Sequence, residues 1–297
     1  MSTFWSVWIS VIVLGSILGC AWLILATRKG ERFKDSTEET TGHSFDGIEE
    51  YDNPMPMWWL KLFWLTIIFG IIYLIIYPGL GTFKGVAGWT SHGQWSDEIV
   101  AADQKYAPLY AELAAQDPEQ LMNDEEALGI GQRLFANNCS VCHGSGGRGN
   151  VGFPNLTDDE WLYGGSHEKI LETLLNGRQA LMPAWQDALG AEGITQVAHY
   201  VRSLSGQKNV DETLAQAGAA KFQQNCVVCH GANGEGNEAF GAPSLSDSIW
   251  LYGGTQNIVE MTLRYGRKGR MPNFEEVLGE DRLYVLAAYV KSLSQQK

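Results

Sequence analysis

Two stretches of this chain have no polar face. Trp5 to Ala26 runs for 22 residues without a charge, about 33 Å of helix at about 1.5 Å per residue, enough for a bilayer core. Met57 to Tyr77 is a second such run, and its Lys61 sits near the start, where a long stem reaches the headgroups. Trp58, Trp59, Tyr73 and Tyr77 flank it as an aromatic belt does. Beyond them the pattern turns to amphipathic helical segments divided by glycine-rich loops. It predicts a mainly α chain: two transmembrane helices at about 5–26 and 57–77, then two tandem helical domains. The expected boundaries are an anchor over 1–95, with a loop at 27–56 and a linker at 78–95. A connecting helix over 96–122 follows, with Asp97 and Glu98 in its first turn as a start signal. Domain one spans 123–207 and domain two 208–297.

The first apolar run lacks a basic leading segment and is too long for a cleaved signal peptide, so a retained anchor is expected. Arg28, Lys29, Arg32 and Lys34 follow it directly, whereas the residues before it carry no basic group. That bias puts the 27–56 loop in the cytoplasm and both termini outside. Gly15-Ser-Ile-Leu-Gly19 has the spacing of a helix-packing face, a pattern that also arises by chance. No carboxylate lies within either span, so no proton path of this chain's own is expected.

The chemistry is written twice. Cys139-Ser-Val-Cys142-His143 and Cys226-Val-Val-Cys229-His230 are both C-x-x-C-H, the attachment pattern of c-type haem. Two thiols three positions apart on one helical turn reach the two vinyl groups of one porphyrin, and the next histidine becomes the proximal iron ligand. A zinc or redox C-x-x-C is the alternative, and the adjoining His argues against a redox pair. The flanking sequence repeats at an offset of 87 in the motif and 89 after it, relating Pro154 to Pro243 and Trp161-Leu-Tyr-Gly-Gly165 to Trp250-Leu-Tyr-Gly-Gly254. Gly177-Arg178 likewise answers to Gly266-Arg267, and Met182-Pro183 to Met271-Pro272. The chain is a duplication with two residues added in the second glycine-rich loop, not a solenoid, which needs three or more units.

The repeat selects the sixth ligands. Met182 and Met271 recur in register, whereas His167 pairs with Gln256 and His199 with Ala288. The expected axial pairs are His143/Met182 and His230/Met271. Sequence alone leaves open an exchange of the two methionines between the copies. Thioether ligation raises the reduction potential and leaves no open site, which suits electron transfer rather than oxygen binding. His167 and His199 are expected to be surface or packing residues. The covalent haem also fixes the compartment, because attachment of this type takes place on the periplasmic side of a bacterial inner membrane.

Charge refines the picture. The net charge is −13, with 26 acidic against 15 basic residues beyond Ser96, which does not suit a nucleic-acid partner. Near the second methionine, however, lie Arg264, Arg267, Lys268 and Arg270, where the first copy has Leu175, Arg178, Gln179 and Leu181. This is either a solvated face or a docking patch. The fifth cysteine, Cys20, leaves no disulfide framework.

The loop Gly42-His43-Ser-Phe-Asp46-Gly47-Ile-Glu49-Glu50-Tyr51-Asp52-Asn53-Pro54-Met55-Pro56 runs into Trp58-Trp59, and Tyr77-Pro-Gly-Leu-Gly81 and Gly88-Trp89-Thr-Ser91 follow the second span. These passages resemble the dihaem subunit of cbb3-type cytochrome c oxidases, the CcoP/FixP family, and the resemblance covers the whole chain. Each half also resembles class I cytochrome c, with Gly131-x-x-x-Phe135 and Gly218-x-x-x-Phe222 facing the last helices, Ile194–Leu204 and Leu283–Leu293. The resemblance implies that Pro154 and Pro243 support the proximal histidines through backbone carbonyls. Trp161, Trp250, Arg178 and Arg267 are candidates for propionate contact, with core filling an equal alternative for the tryptophans. His43 is expected to be a loop or interface residue. The implied function is electron entry. Electrons pass from a donor cytochrome c through two covalently bound c-type haems to a monohaem cytochrome c subunit and a haem–copper catalytic subunit that reduces oxygen. No catalytic centre is expected in this chain. The alternatives are the cytochrome subunit of a periplasmic dehydrogenase and a tethered dihaem shuttle.

Overall fold

The computed structural model describes residues 1–27, 40–51 and 56–295. The basic cluster from Arg28 to Lys34 lies outside the described residues, as do Asp52 to Met55. The chain divides into two compact units, 1–105 and 106–297.

The first unit is built on α1 (Thr3–Thr27) and α2 (Met57–Ile76). Only Ile24 in α1 and Leu60 in α2 are buried. Helices this apolar and this bare fit a membrane anchor, and both are long enough to cross a membrane. The Ser6 hydroxyl accepts from the Thr82 amide at 2.9 Å, so the start of α1 and the segment after α2 are tied together. Residues 78–88 fold back to cap α2, with the Val86 and Ala87 amides donating to the Ile75 and Ile76 carbonyls. Gly15 and Gly19 meet no other part of the described chain. Between the spans, β1 (Thr40–Phe45) and β2 (Ile48–Tyr51) pair antiparallel. Their turn is Asp46-Gly47, both at positive φ (53° and 85°), the backbone that twists a two-residue hairpin correctly.

α3 (Ser91–Ala114) begins five residues earlier than the pattern from Ser96 suggests and ends earlier than Met122. The reason is Thr90, whose hydroxyl accepts from the Gly93 amide at 2.9 Å and so caps the start. Asp117 and Pro118 then open a separate short helix, α4 (Pro118–Leu121), with proline in its first turn.

In the second unit the helices are α5 (Glu125–Asn138), α6 (Ser140–His143), α7 (His167–Asn176), α8 (Gln186–Leu204), α9 (Glu212–Asn225), α10 (Val227–His230), α11 (Gln256–Tyr265), α12 (Glu275–Leu278) and α13 (Glu280–Gln295). Gly190, at φ 66° and ψ 176°, breaks α8 where its counterpart Gly279 separates α12 from α13. Two strands, β3 (Arg178–Met182) and β4 (Arg267–Met271), pair antiparallel along their whole length.

The packing of these elements departs from the repeat. α13 packs on α5 and α7 of the first copy, and α8 packs on α9 and α11 of the second. Gly131 of α5 sits where any Cβ would strike Tyr289 of α13, and Gly218 of α9 where it would strike the Gln196 carbonyl of α8. The predicted glycine-mediated crossings are present, with the last helices exchanged. One lobe holds Phe135, Cys139, Ile170 and Leu174 against Leu283, Leu286 and Val290. The other holds Phe222, Cys226, Val259 and Leu263 against Ile194, Val197 and Val201. The sequence repeats, 123–207 and 208–297, and the packed lobes are therefore different divisions of the chain. Leu113 and Leu121 add a further cluster with Ala127, Ile130, Val285 and Ala288, which seats the connecting segment on α13.

Candidate functional site

Each C-x-x-C-H begins at the end of a long helix and turns through one short one. Cys139 caps α5 and Cys226 caps α9, and both are buried, while Cys142 and Cys229 are exposed. Burial first, and the neighbouring thiol second, push Cys139 and Cys226 up to about 11. A redox-active C-x-x-C needs the opposite, a lowered thiol pKa. A buried thiol held high does not support the dithiol alternative. No group of three or more His, Cys, Asp or Glu is placed to hold an ion among the described residues.

His143 and His230 are buried at the ends of α6 and α10. Nδ1 of His143 lies 3.0 Å from the Pro154 carbonyl, and Nδ1 of His230 lies 3.0 Å from that of Pro243. A carbonyl only accepts, so Nδ1 carries the proton and Nε2 is left free as a ligand. Burial holds His230 below the usual imidazole range, against the raising effect of its carbonyl partner. The glycine-rich loops make this support possible. The His143 carbonyl accepts from Gly149 and the His230 carbonyl from Gly236, each at 2.8 Å, which turns the chain back so that the proline follows beside the ring.

One continuous cavity of about 850 Å³ contains both motifs. Its walls include Phe135, Leu174, Val201, Phe222, Leu263 and Val290, and both methionines reach it. Met271 packs on the cluster of Cys139, whereas Met182 packs on that of Cys226. The expected pairing within each repeat, His143 with Met182 and His230 with Met271, is not the one the packing brings together. The chain crosses over at the β3–β4 ribbon. Arg178 stands opposite Met271 and Met182 opposite Arg267, so each methionine leaves its own repeat at that point.

Trp161 and Trp250 pack on the two hydrophobic clusters and also line the cavity. Arg178 lies 4.8 Å above the Tyr163 ring, and its Nε donates to Thr173 Oγ1 at 2.9 Å. Arg267 repeats this over Tyr252 at 4.1 Å, with Nε donating to Thr262 Oγ1 at 2.9 Å. Tyr163 packs on Gly241 and Tyr252 on Gly152, so the two tyrosines lock the lobes together. The sequence pattern does not single these tyrosines out, although their place in the repeated Trp-Leu-Tyr-Gly-Gly is visible. The Tyr163 hydroxyl is buried with no hydrogen-bond partner among the described residues. An apolar cavity, two imidazoles with free Nε2, an orphaned hydroxyl on the tyrosine that Arg178 covers and a second guanidinium over Tyr252 fit large flat ligands with anionic edges. Two haems are such ligands.

His167 and His199 are not aimed at the cavity. His167 Nε2 meets the Tyr284 carbonyl at 3.0 Å, and His199 Nδ1 accepts from the Asp211 amide at 3.1 Å. The basic cluster near Met271 also divides. Arg264 is held by Glu260 at 3.4 Å and by Gln186 at 3.3 Å, and Arg267 faces inward as Arg178 does. Only Lys268 and Arg270 remain on the surface.

Comparisons with known proteins converge. Residues 37–84 match the family described as the N-terminal domain of cytochrome oxidase-cbb3, FixP. Residues 126–201 and 213–290 match that described as cytochrome c oxidase, cbb3-type, subunit III. The chain is 44% identical over 293 residues to a cbb3-type cytochrome c oxidase subunit CcoP of Rubrivivax gelatinosus, covering 98% of this chain and 95% of that protein. It is 40% identical over 288 residues to the CcoP subunit of Cereibacter sphaeroides, covering 89% and 98%. It is also 40% identical over 276 residues to a FixP subunit from a Bradyrhizobium species, covering 87% and 95%.

Proposed function

The chain belongs to the family of subunit III of cbb3-type cytochrome c oxidases, and on that premise we propose that it is the electron-entry subunit of such an oxidase. It is a membrane-anchored cytochrome with two covalently bound c-type haems. Electrons from a donor cytochrome c pass through them to the monohaem and haem–copper subunits, where oxygen is reduced to water. The observation that carries the reading is the single cavity with a C-x-x-C-H motif at each lobe and a methionine closing each side.

The residues we assign are Cys139, Cys142 and His143 with Met271 for the first haem, and Cys226, Cys229 and His230 with Met182 for the second. When bound, each haem supplies a one-electron iron couple. The protein sets its potential and its place. The proline carbonyls fix the imidazole tautomer and raise its basicity. Met182 and Met271 would supply thioether ligands, which favour the reduced state. The apolar walls keep water from the iron, and Arg178, Arg267 and Tyr163 stand ready for the propionate edges. Because the lobes share one cavity, two bound haems would exchange an electron within the protein.

We further propose that α1 and α2 both cross the inner membrane, with β1–β2 on the cytoplasmic side and both haem lobes in the periplasm. The Ser6–Thr82 hydrogen bond supports this, since it joins the two ends that must share one side. Along the sequence, 1–95 acts as anchor, 96–122 as connector, and 123–207 and 208–297 as the two cytochrome repeats. The test is purification from native membranes with haem staining, subunit identification and oxygen uptake. Co-purification of a haem–copper oxidase is expected. Isolation with a dehydrogenase, or alone, would overturn the reading.

A further inference from the structure

We propose that the outer face of the β3–β4 ribbon, made by Leu181, Lys268 and Arg270, is the docking surface for an acidic electron-carrier protein. The proposal rests on the electron-transfer reading above and names the chemistry of the partner that meets this chain.

Side chains alternate across the ribbon. Arg178, Ala180 and Met182, with Arg267, Gly269 and Met271, are partly buried, while Gln179, Leu181, Lys268 and Arg270 are exposed. The register sets Leu181 beside Lys268 and Gln179 beside Arg270. One face of a ten-residue ribbon thus carries both methionines, and the other carries two cations around an apolar side chain that is 73% exposed, and Leu181, Lys268 and Arg270 also border the haem cavity. Leu181 and Arg270 are each the chain neighbour of a methionine, a Cα spacing of about 3.8 Å. A protein seated here meets both haem pockets at their methionine edges. The exchange of the last helices creates this arrangement, because it brings the two methionine strands side by side.

Charge identifies the occupant. Neither Lys268 nor Arg270 makes a hydrogen bond or ion pair among the described residues, whereas Arg178 and Lys169 are both paired with Glu172 and Arg264 with Glu260. These two unpaired cations lie on a methionine-bearing strand of a chain of net charge −13. The first copy has Gln179 and Leu181 at the equivalent positions, so the repeat itself does not demand them. The exposed Pro183, Ala184 and Pro272 extend the apolar centre. A small apolar centre with a charged rim beside a redox centre suits a transient encounter, in which charge steers approach over about one Debye length, about 8 Å at physiological salt. The complementary partner carries carboxylates around an apolar contact.

The test uses the full oxidase complex with Lys268→Glu/Arg270→Glu, Lys268→Gln/Arg270→Gln and Leu181→Ser. Stopped-flow electron exchange is measured at two ionic strengths with acidic plastocyanin as probe and basic mitochondrial cytochrome c as control. The expected result is a loss of about tenfold or more with plastocyanin at low salt for the double glutamate variant. The glutamine variant should lose less, its salt dependence should flatten, and cytochrome c should not slow. A plastocyanin rate and salt dependence equal to wild type would overturn the proposal. So would loss of a subunit on purification, a changed oligomeric state, or loss of binding to phosphatidylglycerol vesicles as the sole defect. These would assign the ribbon to a neighbouring subunit, a second copy or lipid. Oxygen uptake driven by ascorbate with a small mediator separates the two readings. Its absence in the wild type sinks the oxidase assignment and leaves the docking result standing.

Discussion

The amide of Trp185 donates to the carbonyl of Leu263 at 2.8 Å, which ties the chain just after Met182 to helix α11 of the other repeat. The symmetric bond joins the Phe274 amide, just after Met271, to the Leu174 carbonyl of α7 at 2.9 Å. Each methionine loop is thus anchored on the partner repeat by a backbone hydrogen bond and by apolar packing.

The exchanged ligation has a direct test. Removing the second haem with Cys229→Ala and Cys226→Ala leaves only the haem at Cys139 and Cys142. In that background Met271→Ala is expected to abolish the Fe–S(Met) absorption band and lower the potential, while Met182→Ala leaves both in place. The reverse pattern would restore the in-register pairing.

The exchange also decides which haem feels which helix. Leu286 of α13 is fully buried in the cluster of Cys139, and Ile194 of α8 is fully buried in that of Cys226. Leu286→Ala should cost about 2–5 kcal/mol of stability and perturb the first haem, although it lies in the second repeat. Ile194→Ala should perturb the second haem by a similar amount. Thermal unfolding with redox titration of each haem reads both effects. Damage confined to the haem of the mutated repeat would refute the exchange.

The two motifs, the 89-residue offset and the Gly-x-x-x-Phe crossings are legible in the sequence, because each follows from a local chemical requirement, whereas the proline carbonyls come only with the resemblance to class I cytochrome c. The exchange is not legible there, because duplication makes the two solutions equivalent side chain for side chain. Phe135 meets Tyr289 at 5.7 Å and Phe222 meets Tyr200 at 5.2 Å between ring centroids, yet Tyr200 and Tyr289 are counterparts. This aromatic pair does not choose between the partners. A hint lies in Arg202, where the repeat has Lys291. Arg202 donates to the Lys208 and Asn209 carbonyls and to Gln207 and Gln256, which fastens the short turn that lets α8 pack on the next helix, α9. The β1–β2 hairpin is signalled by Asp46-Gly47 but masked by the polar, proline-bearing composition of its loop.

The junction of the lobes carries a pH-sensitive load. Burial first, then Asp247, Asp158 and Asp159, raise the Glu160 carboxyl above its usual range. A carboxyl with a raised folded pKa binds its proton more tightly in the native state, so its charge destabilises the fold above that pKa and the cost fades as pH falls through it. Glu160→Gln is therefore expected to raise the melting temperature slightly at pH 7, by about 1 °C, the scale of a surface substitution. The gain should shrink towards zero near pH 4. A gain that grows on acidification would contradict the sign.

The topology has its own consequence. Both spans are bare of protein contacts along nearly their whole length, and Ser6 near the start of α1 bonds to Thr82 beyond the end of α2. In the topology we propose, two antiparallel crossings joined at those ends put the β1–β2 hairpin on the side opposite Thr82. In that proposal the four basic residues Arg28, Lys29, Arg32 and Lys34 between the spans assign the hairpin to the cytoplasm. A reporter inserted after Gly47 is expected to be active only as a cytoplasmic type, and one fused after Lys297 only as a periplasmic type. Replacing the four basic residues with glutamine should weaken that preference and reduce covalent haem together, since attachment depends on exporting both C-x-x-C-H motifs. Inverted reporters that kept full haem content would break the link between charge, orientation and haem loading on which the placement rests.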